Sequence, residues 1–382
     1  MEYKICKKCV VDSSVKSIVL DFDGICQYCK MHDEMNLEFP GPNEQSKKNL
    51  LALSEKIKND GKNKKYNCIV GVSGGRDSSY LLYYIKRELG LRPLAVHYDN
   101  GFGSDISVSN IFKVCEKLDV DLETVVANWE KFKKITKSFF LASVCDPDTP
   151  TDVALLKAMN EAAYKENIKY IFNGHSFRTE GIEPLDWTYM DGHYIKDVHK
   201  KFGDGILKNF DNYTMFDLIK FNFLRNIKTI FPLNFIDYNY DQVEKVLTED
   251  LGWSYYGGHH HENLLTKFIV SYYLPVKFGI DRRRTSLSAM VREKKMKREE
   301  AINILKKRPL IDGESDLIKY VLEKLDISEN DFQIIMENEN KNFKDYNTYY
   351  NYIKYFKTIT KISYKLDIIP KILYLKYFGS NH

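Results

Sequence analysis

The middle of the chain alternates short apolar runs with longer segments in which apolar residues recur at helical spacing. The apolar runs predict strands at residues 68–72, 94–98, 122–126 and 168–173. The segments between them predict helices at residues 78–89, 107–118 and 152–165. This alternation is typical of parallel sheets that are covered on both faces. The sequence therefore predicts an α/β fold with a doubly wound parallel sheet.

The flanking segments follow other patterns. A Pro-Gly-Pro linker at residues 40–42 precedes a Lys-rich helix, a fifth strand is predicted at residues 233–238 with a helix at residues 240–251, and the chain after residue 257 is helical. The patterns divide the chain into an N-terminal part (residues 1–40), a linker helix (41–64), the α/β domain (65–255, with an insertion at 180–230) and a helical C-terminal region (256–382).

Charge and hydropathy exclude several classes of protein. The 57 Lys and Arg residues nearly balance the 53 Asp and Glu residues, which argues against a protein that binds nucleic acid through overall charge. Apolar runs are far shorter than the roughly 18 residues of a membrane span, which argues against membrane insertion. Residues 1–10 are charged and contain cysteines, unlike a signal peptide. We therefore expect a cytoplasmic location.

Four of the seven cysteines form two pairs near the N-terminus, Cys6 with Cys9 and Cys26 with Cys29, separated by sixteen residues. A large chain without an export signal does not use such cysteines as a disulfide framework. Two CxxC knuckles at this spacing place four thiolates around one Zn²⁺, and residues 1–40 are predicted to form a structural zinc ribbon. A rubredoxin-like iron site and a redox dithiol pair are the alternatives.

A Ser-Gly-Gly-Arg-Asp-Ser-Ser sequence, residues 73–79, follows the first predicted strand and precedes a helix. Two glycines let the backbone approach an anion, and the helix N-terminus adds N–H groups and a positive dipole end. Asp77 is expected to orient Mg²⁺ on phosphates or to cap the helix. The sequence lacks the Lys of a Walker A loop and the spacing of a Rossmann glycine motif.

The SGGxDS motif resembles the PP-loop of the ATP pyrophosphatases, which cleave ATP to AMP and pyrophosphate. The resemblance implies that ATP and its pyrophosphate are bound by Ser73, Gly74, Gly75, Asp77, Ser78 and Ser79. It also implies nucleotide contacts where two strands end, at Tyr98 and Asp99 and at Gly174 and His175.

The cysteine pairs, this loop, a Gly-Gly-x-His-x-Glu sequence at residues 257–262 and the basic segment 273–284 together resemble the N-acetyl sugar amidotransferases of lipopolysaccharide and nonulosonic-acid pathways. The resemblance implies conversion of an acetamido group on a sugar into an acetamidino group, in the biosynthesis of a surface glycan such as pseudaminic acid or lipopolysaccharide. The sugar is a nonulosonic acid or a nucleotide sugar. His260 and Glu262 are candidates to accept a proton, beside Asp77 as a catalytic residue; a surface turn and a metal site are the alternatives for these histidines.

Positive charge for the substrate is predicted at four positions, where it faces a sugar carboxylate or phosphate: Lys277, Arg282, Arg283 and Arg284. A glutaminase with an N-terminal nucleophile needs cysteine after Met1, and residue 2 is Glu. The family resemblance therefore implies a separate glutaminase subunit and a cyclase-like subunit that channels ammonia.

Two other functions compete with this one. A tRNA-thiolating PP-loop enzyme would use Cys145 as its catalytic cysteine, although no second CxxC pair lies downstream. A zinc-ribbon interaction protein on a degenerate nucleotide fold would perform no catalysis, and the intact residues 73–79 argue against it.

Overall fold

We describe the protein from a computed structural model, which covers residues 3–204, 210–258, 260–309, 313–366 and 368–379. Five parallel strands form one sheet in the order β3-β2-β1-β4-β5. Their bounds are β1 Cys68–Gly71, β2 Pro93–Asp99, β3 Leu122–Val126, β4 Tyr170–Phe172 and β5 Lys228–Ile230. The predicted α/β fold with a parallel sheet is confirmed.

Helices cover both faces of the sheet because the central strand is apolar on both sides. Cys68 and Val70 pack with the helices on one face, whereas Ile69 packs with α6 on the other. The helices of this part are α1 Gln27–Glu38, α2 Glu44–Asp60, α3 Arg76–Tyr83, α4 Asp105–Leu118, α5 Trp129–Leu141 and α6 Thr149–Lys165. Strands buried on two faces explain the continuous apolar runs in the sequence.

The segment predicted to be an insertion contains the fifth strand. Its elements are α7 Gly192–Phe202, α8 Met215–Leu218 and β5, which pairs with β4 from Tyr170 opposite Lys228 to Phe172 opposite Ile230. The predicted strand at residues 233–238 is wrong, since Pro232–Asn234 forms a 3₁₀ turn. Proline fixes its own φ and lacks an N–H, so it favours the start of a helical turn over a paired strand.

The rest of the described chain is helical, as predicted. Its helices are α9 Tyr240–Lys245, α10 Leu264–Phe268, α11 Arg283–Arg292, α12 Arg298–Leu305, α13 Glu314–Lys324, α14 Glu329–Glu337, α15 Tyr350–Tyr355, α16 Lys357–Lys365 and α17 Lys371–Phe378. Wider π-type turns extend or link several of them, at Tyr84–Glu88, Ile219–Leu224, Val246–Asp250 and Ile269–Phe278, and a second 3₁₀ turn is Phe343–Asp345. Across the described ranges, we find no helix with the length and apolar character that a membrane crossing requires.

The order of the strands creates a crevice at one edge of the sheet. The chain leaves β1 toward β2 on one side, and β4 lies on the other side of β1. Connections that run in opposite directions leave an opening at the carboxyl ends of the two central strands, where α/β proteins bind ligands. Residues 73–79 follow β1 and Gly174 follows β4, so both lie at this opening.

Candidate active site

The glycine loop, residues 73–79, connects β1 to α3 in a conformation that needs its first glycine. Gly74 has φ of +75°, and a Cβ atom there would lie 2.1 Å from the carbonyl oxygen of Ser107. Any side chain would therefore collide with the backbone of α4, besides adopting a left-handed conformation. The glycine allows the loop to pack against α4 with the N-terminus of α3 facing the crevice.

Three side chains from distant segments hold the loop in place. Trp253 Nε1 donates a hydrogen bond to the carbonyl oxygen of Gly74 (3.0 Å), and Asn110 Nδ2 donates to the same oxygen (3.2 Å). The Tyr256 hydroxyl accepts from the N–H of Arg76 (3.3 Å). These bonds fix the shape of the loop, and the N-terminus of α3 that follows it favours an anion.

Asp77 lies in the first turn of α3 and faces a cavity of about 280 Å³, which we call the loop cavity. The Tyr238 hydroxyl donates to Asp77 Oδ1, which orients the carboxylate. A Cβ atom at Gly174 would lie 3.4 Å from the carbonyl carbon of Asp77, so β4 ends directly against this turn. The structure thus brings Asp77, Gly174 and His175 together with Ser73, Gly75 and Ser78 around one cavity.

A second cavity, of about 220 Å³, lies beyond the end of β2 and is called the strand-end cavity. Tyr98 and Asp99, which were predicted to contact a nucleotide, line it together with Ser73 of the glycine loop. His97 Nδ1 lies 3.0 Å from the carbonyl oxygen of Val72, so this imidazole links two neighbouring strands.

His260 and Glu262 lie between these two cavities and line both of them. His260 has φ of +62°, an uncommon conformation for a residue with a side chain, and its Nδ1 is 4.0 Å from Glu262 Oε1. A Cβ atom at Gly75 would lie 3.1 Å from Glu262 Oε1, so this carboxyl group adjoins the glycine loop. Burial raises the pKa of Glu262 to about 7, and the charges of Asp77 and Glu180 act in the same direction.

A third cavity, of about 270 Å³, adjoins the loop cavity on the side of β4. We call it the hydroxyl-lined cavity because Ser271, Thr285 and Ser286 contribute to its wall. His260 lines this cavity also, so three cavities meet at this residue. His175 and Glu180 separate the hydroxyl-lined cavity from the loop cavity, with 2.6 Å between His175 Nδ1 and Glu180 Oε2. Burial opposes the protonated imidazole, but the charge and hydrogen bond of Glu180 prevail and raise the pKa of His175.

The four basic residues predicted to bind an anion do not converge. Arg282 and Arg283 line the hydroxyl-lined cavity, where Arg282 is paired with Glu183 (2.6 Å) and Arg283 with Asp281 (2.6 Å). The other two contact different parts of the chain: Arg284 is paired with Asp12 (2.8 Å), and Lys277 Nζ donates to the carbonyl oxygen of Asn338 (2.7 Å).

The two cysteine pairs come together in a buried cluster. The sulfur of Cys6 lies 3.8 Å from that of Cys29, and Cys26 lies 3.6 Å from Cys9 and 3.7 Å from Cys29. Four sulfurs bound to one zinc ion at about 2.3 Å are about 3.8 Å apart at the corners of a tetrahedron. The cluster therefore has the donor set and spacing of a four-coordinate thiolate site. In the predicted zinc ribbon, the strand pairing among the described residues consists of isolated bridges, and α1 begins directly after Cys26.

Helix α11 connects this cysteine cluster to the hydroxyl-lined cavity. At its C-terminal end, Arg292 Nε donates to Cys29 Sγ (3.3 Å) and Nη2 donates to Cys9 Sγ (3.3 Å). Thr285 and Ser286, in the first turn of the same helix, line the cavity. The cysteine cluster and the cavity wall thus lie at opposite ends of one helix of ten residues.

Cys145 lies outside the three cavities that meet at His260. Its side chain is 5% exposed and donates to the carbonyl oxygen of Asp186 (3.1 Å). Burial raises the pKa of this thiol, and the neighbouring Asp146 acts in the same direction. The residue instead lines a separate cavity beside Ser17 and Lys344. A thiol in this environment is a weak nucleophile.

Several residues of the site are missing from the sequence prediction. Glu180 lies in a segment without clear periodicity, Asn110 and Trp253 lie within or beside helical patterns, and Tyr238 ends the run that was wrongly predicted to be a strand. Of these residues, only Tyr256 lies beside a sequence motif, because it directly precedes the Gly-Gly-x-His-x-Glu sequence at residues 257–262. The others act on the loop from distant positions, so no short motif marks them.

Part of the chain is similar to a known protein family. Residues 262–362 match the model described as "LPS biosynthesis protein WbpG-like, C-terminal domain". An uncharacterized protein of Methanocaldococcus jannaschii is 33% identical over 119 residues, which span 31% of this chain and 40% of the relative. The chain thus matches less than half of the length of that relative.

Solved structures with some likeness include an NH₃-dependent NAD synthetase from Campylobacter jejuni, 14% identical, covering 68% of this chain and 96% of that one, with a TM-score of 0.31. A U34-tRNA thiolase, NcsA from Methanococcus maripaludis with its [4Fe-4S] cluster, is 14% identical and covers 80% of this chain and 89% of that one, with a TM-score of 0.31. Scores of this size do not decide between activities. The C-terminal segment that begins at Glu262 is similar to the C-terminal domain of WbpG-like LPS biosynthesis proteins.

Proposed function

We propose that this protein is an ATP-dependent amidotransferase that converts the acetamido group of a sugar into an acetamidino group during the biosynthesis of a surface glycan. The observation that carries the proposal is the junction at Glu262 and His260: the Glu262 carboxyl group adjoins Gly75 of the glycine loop, and the neighbouring His260 lines both the loop cavity and the hydroxyl-lined cavity. In the proposed reaction, activation of the amide by ATP and attack by ammonia both take place where these cavities meet. The match of residues 262–362 to an LPS biosynthesis domain supports a role in a glycan pathway.

The glycine loop provides for the nucleotide half of the reaction. In the proposed complex, the phosphates of ATP lie on the N-terminus of α3, where N–H groups and the helix dipole stabilise negative charge. Tyr98 and Asp99 contact the nucleoside in the strand-end cavity. Asp77 and Glu180 line the loop cavity and offer the oxygen ligands that Mg²⁺ prefers. Bound there, Mg²⁺ would neutralise charge on the departing pyrophosphate.

The chemistry explains why ATP is needed. The carbon of an amide is a poor electrophile, and its oxygen is a poor leaving group. In the proposed reaction the amide oxygen attacks the α-phosphorus of ATP, pyrophosphate leaves, and an O-adenylyl imidate forms. Ammonia attacks the imidate carbon, a proton is lost from nitrogen, and AMP departs with the original amide oxygen. The product is a cationic amidine, and the atoms balance with ATP and ammonia as the only co-substrates.

Glu262 is the group that we assign to accept the proton from ammonia. Its pKa of about 7 makes it an effective base near neutral pH, because a general base works best when its pKa lies near the working pH. His260, 4.0 Å away, orients the substrate or relays the proton. Ammonia is proposed to come from a separate glutaminase subunit through a cyclase-like partner, in the cytoplasm.

The cysteine cluster has an architectural role in this proposal. Four buried thiolates leave no open coordination position, so a zinc ion held by Cys6, Cys9, Cys26 and Cys29 would stabilise the N-terminal part without touching substrate. The environment of Cys145 weighs against the thiolase alternative, because sulfur transfer needs an accessible thiolate.

The test is a reaction of the purified protein with ATP, Mg²⁺, ammonium and acetamido sugars. Replacement of oxygen by NH lowers the mass of the sugar by about 1 Da, and AMP and pyrophosphate must form in equal amounts. Mass spectrometry of the sugar and an assay for pyrophosphate measure both products. If neither AMP nor pyrophosphate forms with any acetamido sugar, the proposed function is wrong.

A further inference from the structure

The hydroxyl-lined cavity has no assigned ligand, although it joins the loop cavity at His260. We propose that it is the acceptor site, and that it binds one hydroxylated acetamido sugar ring with the acetamido group directed toward His260. This inference rests on the proposed function and adds the place and the chemistry of sugar recognition. A nucleotide, when the sugar carries one, extends out of this cavity.

The position of the cavity suits an acceptor. It shares His175, Glu180, Gly258 and His260 with the loop cavity, so one wall separates the two spaces. A group that extends past His260 reaches the side of the glycine loop where Glu262 lies. In-line attack requires the amide oxygen of the sugar to approach the α-phosphorus from the side opposite the leaving pyrophosphate. The later attack by ammonia requires a proton acceptor near the same group.

The chemistry of the wall suits a sugar. The wall includes Ser271, Thr285 and Ser286 together with the charged residues Glu180 and Arg283. The hydroxyls of Thr285 and Ser286 donate to the carbonyl oxygens of Arg282 and Arg283, so they are left as acceptors, whereas a guanidinium group is a donor. Such a wall suits the many hydroxyl groups of a sugar. In the described part of this wall we find no Phe, Tyr or Trp on which a nucleobase would stack.

The charge of the wall sets a limit on the ligand. Arg282 and Arg283 each have a carboxylate partner, Glu183 and Asp281, within the chain. The positive charge is thus largely matched, which suits a neutral sugar or a sugar with one carboxylate better than a diphosphate held inside the cavity. This is the physical reason for placing any nucleotide outside it.

The wall is also rigid, as a specific site requires. Gly181 has φ of +84°, and a Cβ atom there would lie 2.2 Å from the carbonyl oxygen of Thr285. The loop that carries Glu180 and Glu183 therefore packs directly on the first turn of α11, and Arg292 fixes the other end of that helix to the cysteine cluster. A wall held at both ends loses little entropy when a ligand binds.

The experiment blocks the cavity and measures sugar binding without turnover. Ser286→Leu places a larger apolar side chain on the wall, and calorimetry and saturation-transfer NMR follow binding in the presence of a non-hydrolysable ATP analogue. The probes are N-acetylglucosamine, N-acetylneuraminate and UDP-N-acetylglucosamine, a neutral sugar, a carboxylated sugar and a nucleotide sugar. We expect at least about tenfold weaker binding of whichever probe the wild type binds, with unchanged affinity for the ATP analogue.

The control is Ser315→Leu, the same substitution at an exposed position in the first turn of α13, which must bind sugar as the wild type does. Ser286→Ala removes only the hydroxyl group, so it should keep the fold, and it is expected to weaken sugar binding by a smaller factor than Ser286→Leu. The inference is overturned when Ser286→Leu binds sugar like the wild type, or when the wild type binds none of the three probes. If the wild type binds a sugar in this experiment but forms no AMP from ATP and that sugar, the result supports the acceptor site and contradicts the proposed function.

Discussion

The glycine loop and the hydroxyl-lined cavity lie on either side of His260, yet the chain builds them in different ways. The loop is one run of consecutive residues that follows β1 and includes the first turn of α3. The cavity wall combines three separate stretches, at residues 175–183, 258–271 and 282–286, together with Pro309. A phosphate needs closely spaced backbone N–H groups, which one short loop supplies. A sugar needs dispersed donors and acceptors, which packing must assemble.

The basic residues at the glycine loop also differ from those at the hydroxyl-lined cavity in what they contact. At the loop, Arg76 lies over the ring of Tyr240 at 4.2 Å, and the proposed phosphate site is formed by backbone dipoles. At the cavity, guanidinium groups are already paired with carboxylates, so they shape the wall as much as they attract a ligand. Four variants test this difference between the glycine loop and the hydroxyl-lined cavity.

The largest effect is expected on the nucleotide side. Asp77→Ala removes the carboxylate that Tyr238 orients toward the loop cavity, and we expect formation of pyrophosphate to fall by about 10²–10³-fold. The assay is release of pyrophosphate at saturating ATP, with circular dichroism to show that the fold is kept. Asp105→Ala removes a carboxylate from the first turn of α4, outside the cavities, and should change little. Wild-type activity of Asp77→Ala would show that the loop works without this group.

The second largest effect is expected at Glu262, which lines both the loop cavity and the strand-end cavity. The folded-state pKa of Glu262, about 7, lies above its ordinary value, so the carboxylate forms as pH rises through about 7 and kcat/KM should rise with it. Glu262→Gln should lose about 100-fold in kcat/KM and lose this rise. The pH dependence of kcat/KM measures both, and Glu249→Gln, at an exposed position, is the control.

The same group gives a prediction about stability. Because the folded protein holds the Glu262 proton more tightly than the unfolded chain does, the free energy of unfolding contributed by this group falls as pH rises from its ordinary pKa toward about 7. Glu262→Gln should lack that decline in urea titrations at a series of pH values. An unchanged profile of both activity and stability would remove Glu262 from the role of base.

A moderate effect is expected at the far end of α11. Arg292→Gln removes two N–H donors from the sulfurs of Cys9 and Cys29, and we expect affinity for zinc to fall by about tenfold. Competition with a chelator measures the affinity, and the charge-transfer bands of a cobalt-substituted sample should shift. If the helix transmits the change, KM for sugar rises while KM for ATP stays constant.

The control for this helix is Arg87→Gln, at the end of the segment after α3, where Arg87 donates to a backbone carbonyl of α4. It should alter neither the affinity for zinc nor the cobalt spectrum. Equal metal affinity in Arg292→Gln and the wild type would show that these N–H groups do not support the cluster.

The smallest effect is expected at Cys145. Cys145→Ala removes a buried thiol that faces neither the glycine loop nor the hydroxyl-lined cavity, so turnover should stay within about twofold of wild type. Loss of its packing should lower the free energy of unfolding by about 1 kcal/mol. Cys68→Ala, a buried cysteine in β1, gives the comparison for stability. Loss of turnover with intact stability would favour a sulfur-transfer enzyme.

Some elements of the fold could be predicted from the sequence, and others could not. Residues 68–71 are a strand in both prediction and structure, because a strand buried on both faces of a sheet is a continuous run of apolar residues. Lys228–Ile230 is too short and too polar for such a signal, and it becomes a strand by pairing with β4. The apolar run after it bends at Pro232, and the Asn234 side chain accepts from Ser176 Oγ (2.9 Å).

The candidate site divides in the same way. Residues 73–79 and the cysteine pairs could be identified because all their functional groups lie within a few positions of one another. The basic segment was identified by composition alone, and composition did not reveal that Arg284 pairs with Asp12 in the N-terminal part while Arg282 pairs with Glu183. Partners distant in sequence leave no local pattern.

By itself, the sequence determined the α/β class, the glycine loop and the four-cysteine cluster, since short-range geometry fixes each of them: side-chain period, left-handed glycine and thiol spacing. Only the tertiary structure decided that three cavities meet at His260, that Glu262 adjoins Gly75, and that α11 joins the cysteine cluster to the cavity wall. These relations come from close packing between segments far apart in the chain, and contacts of that kind are set by the shape of the whole core.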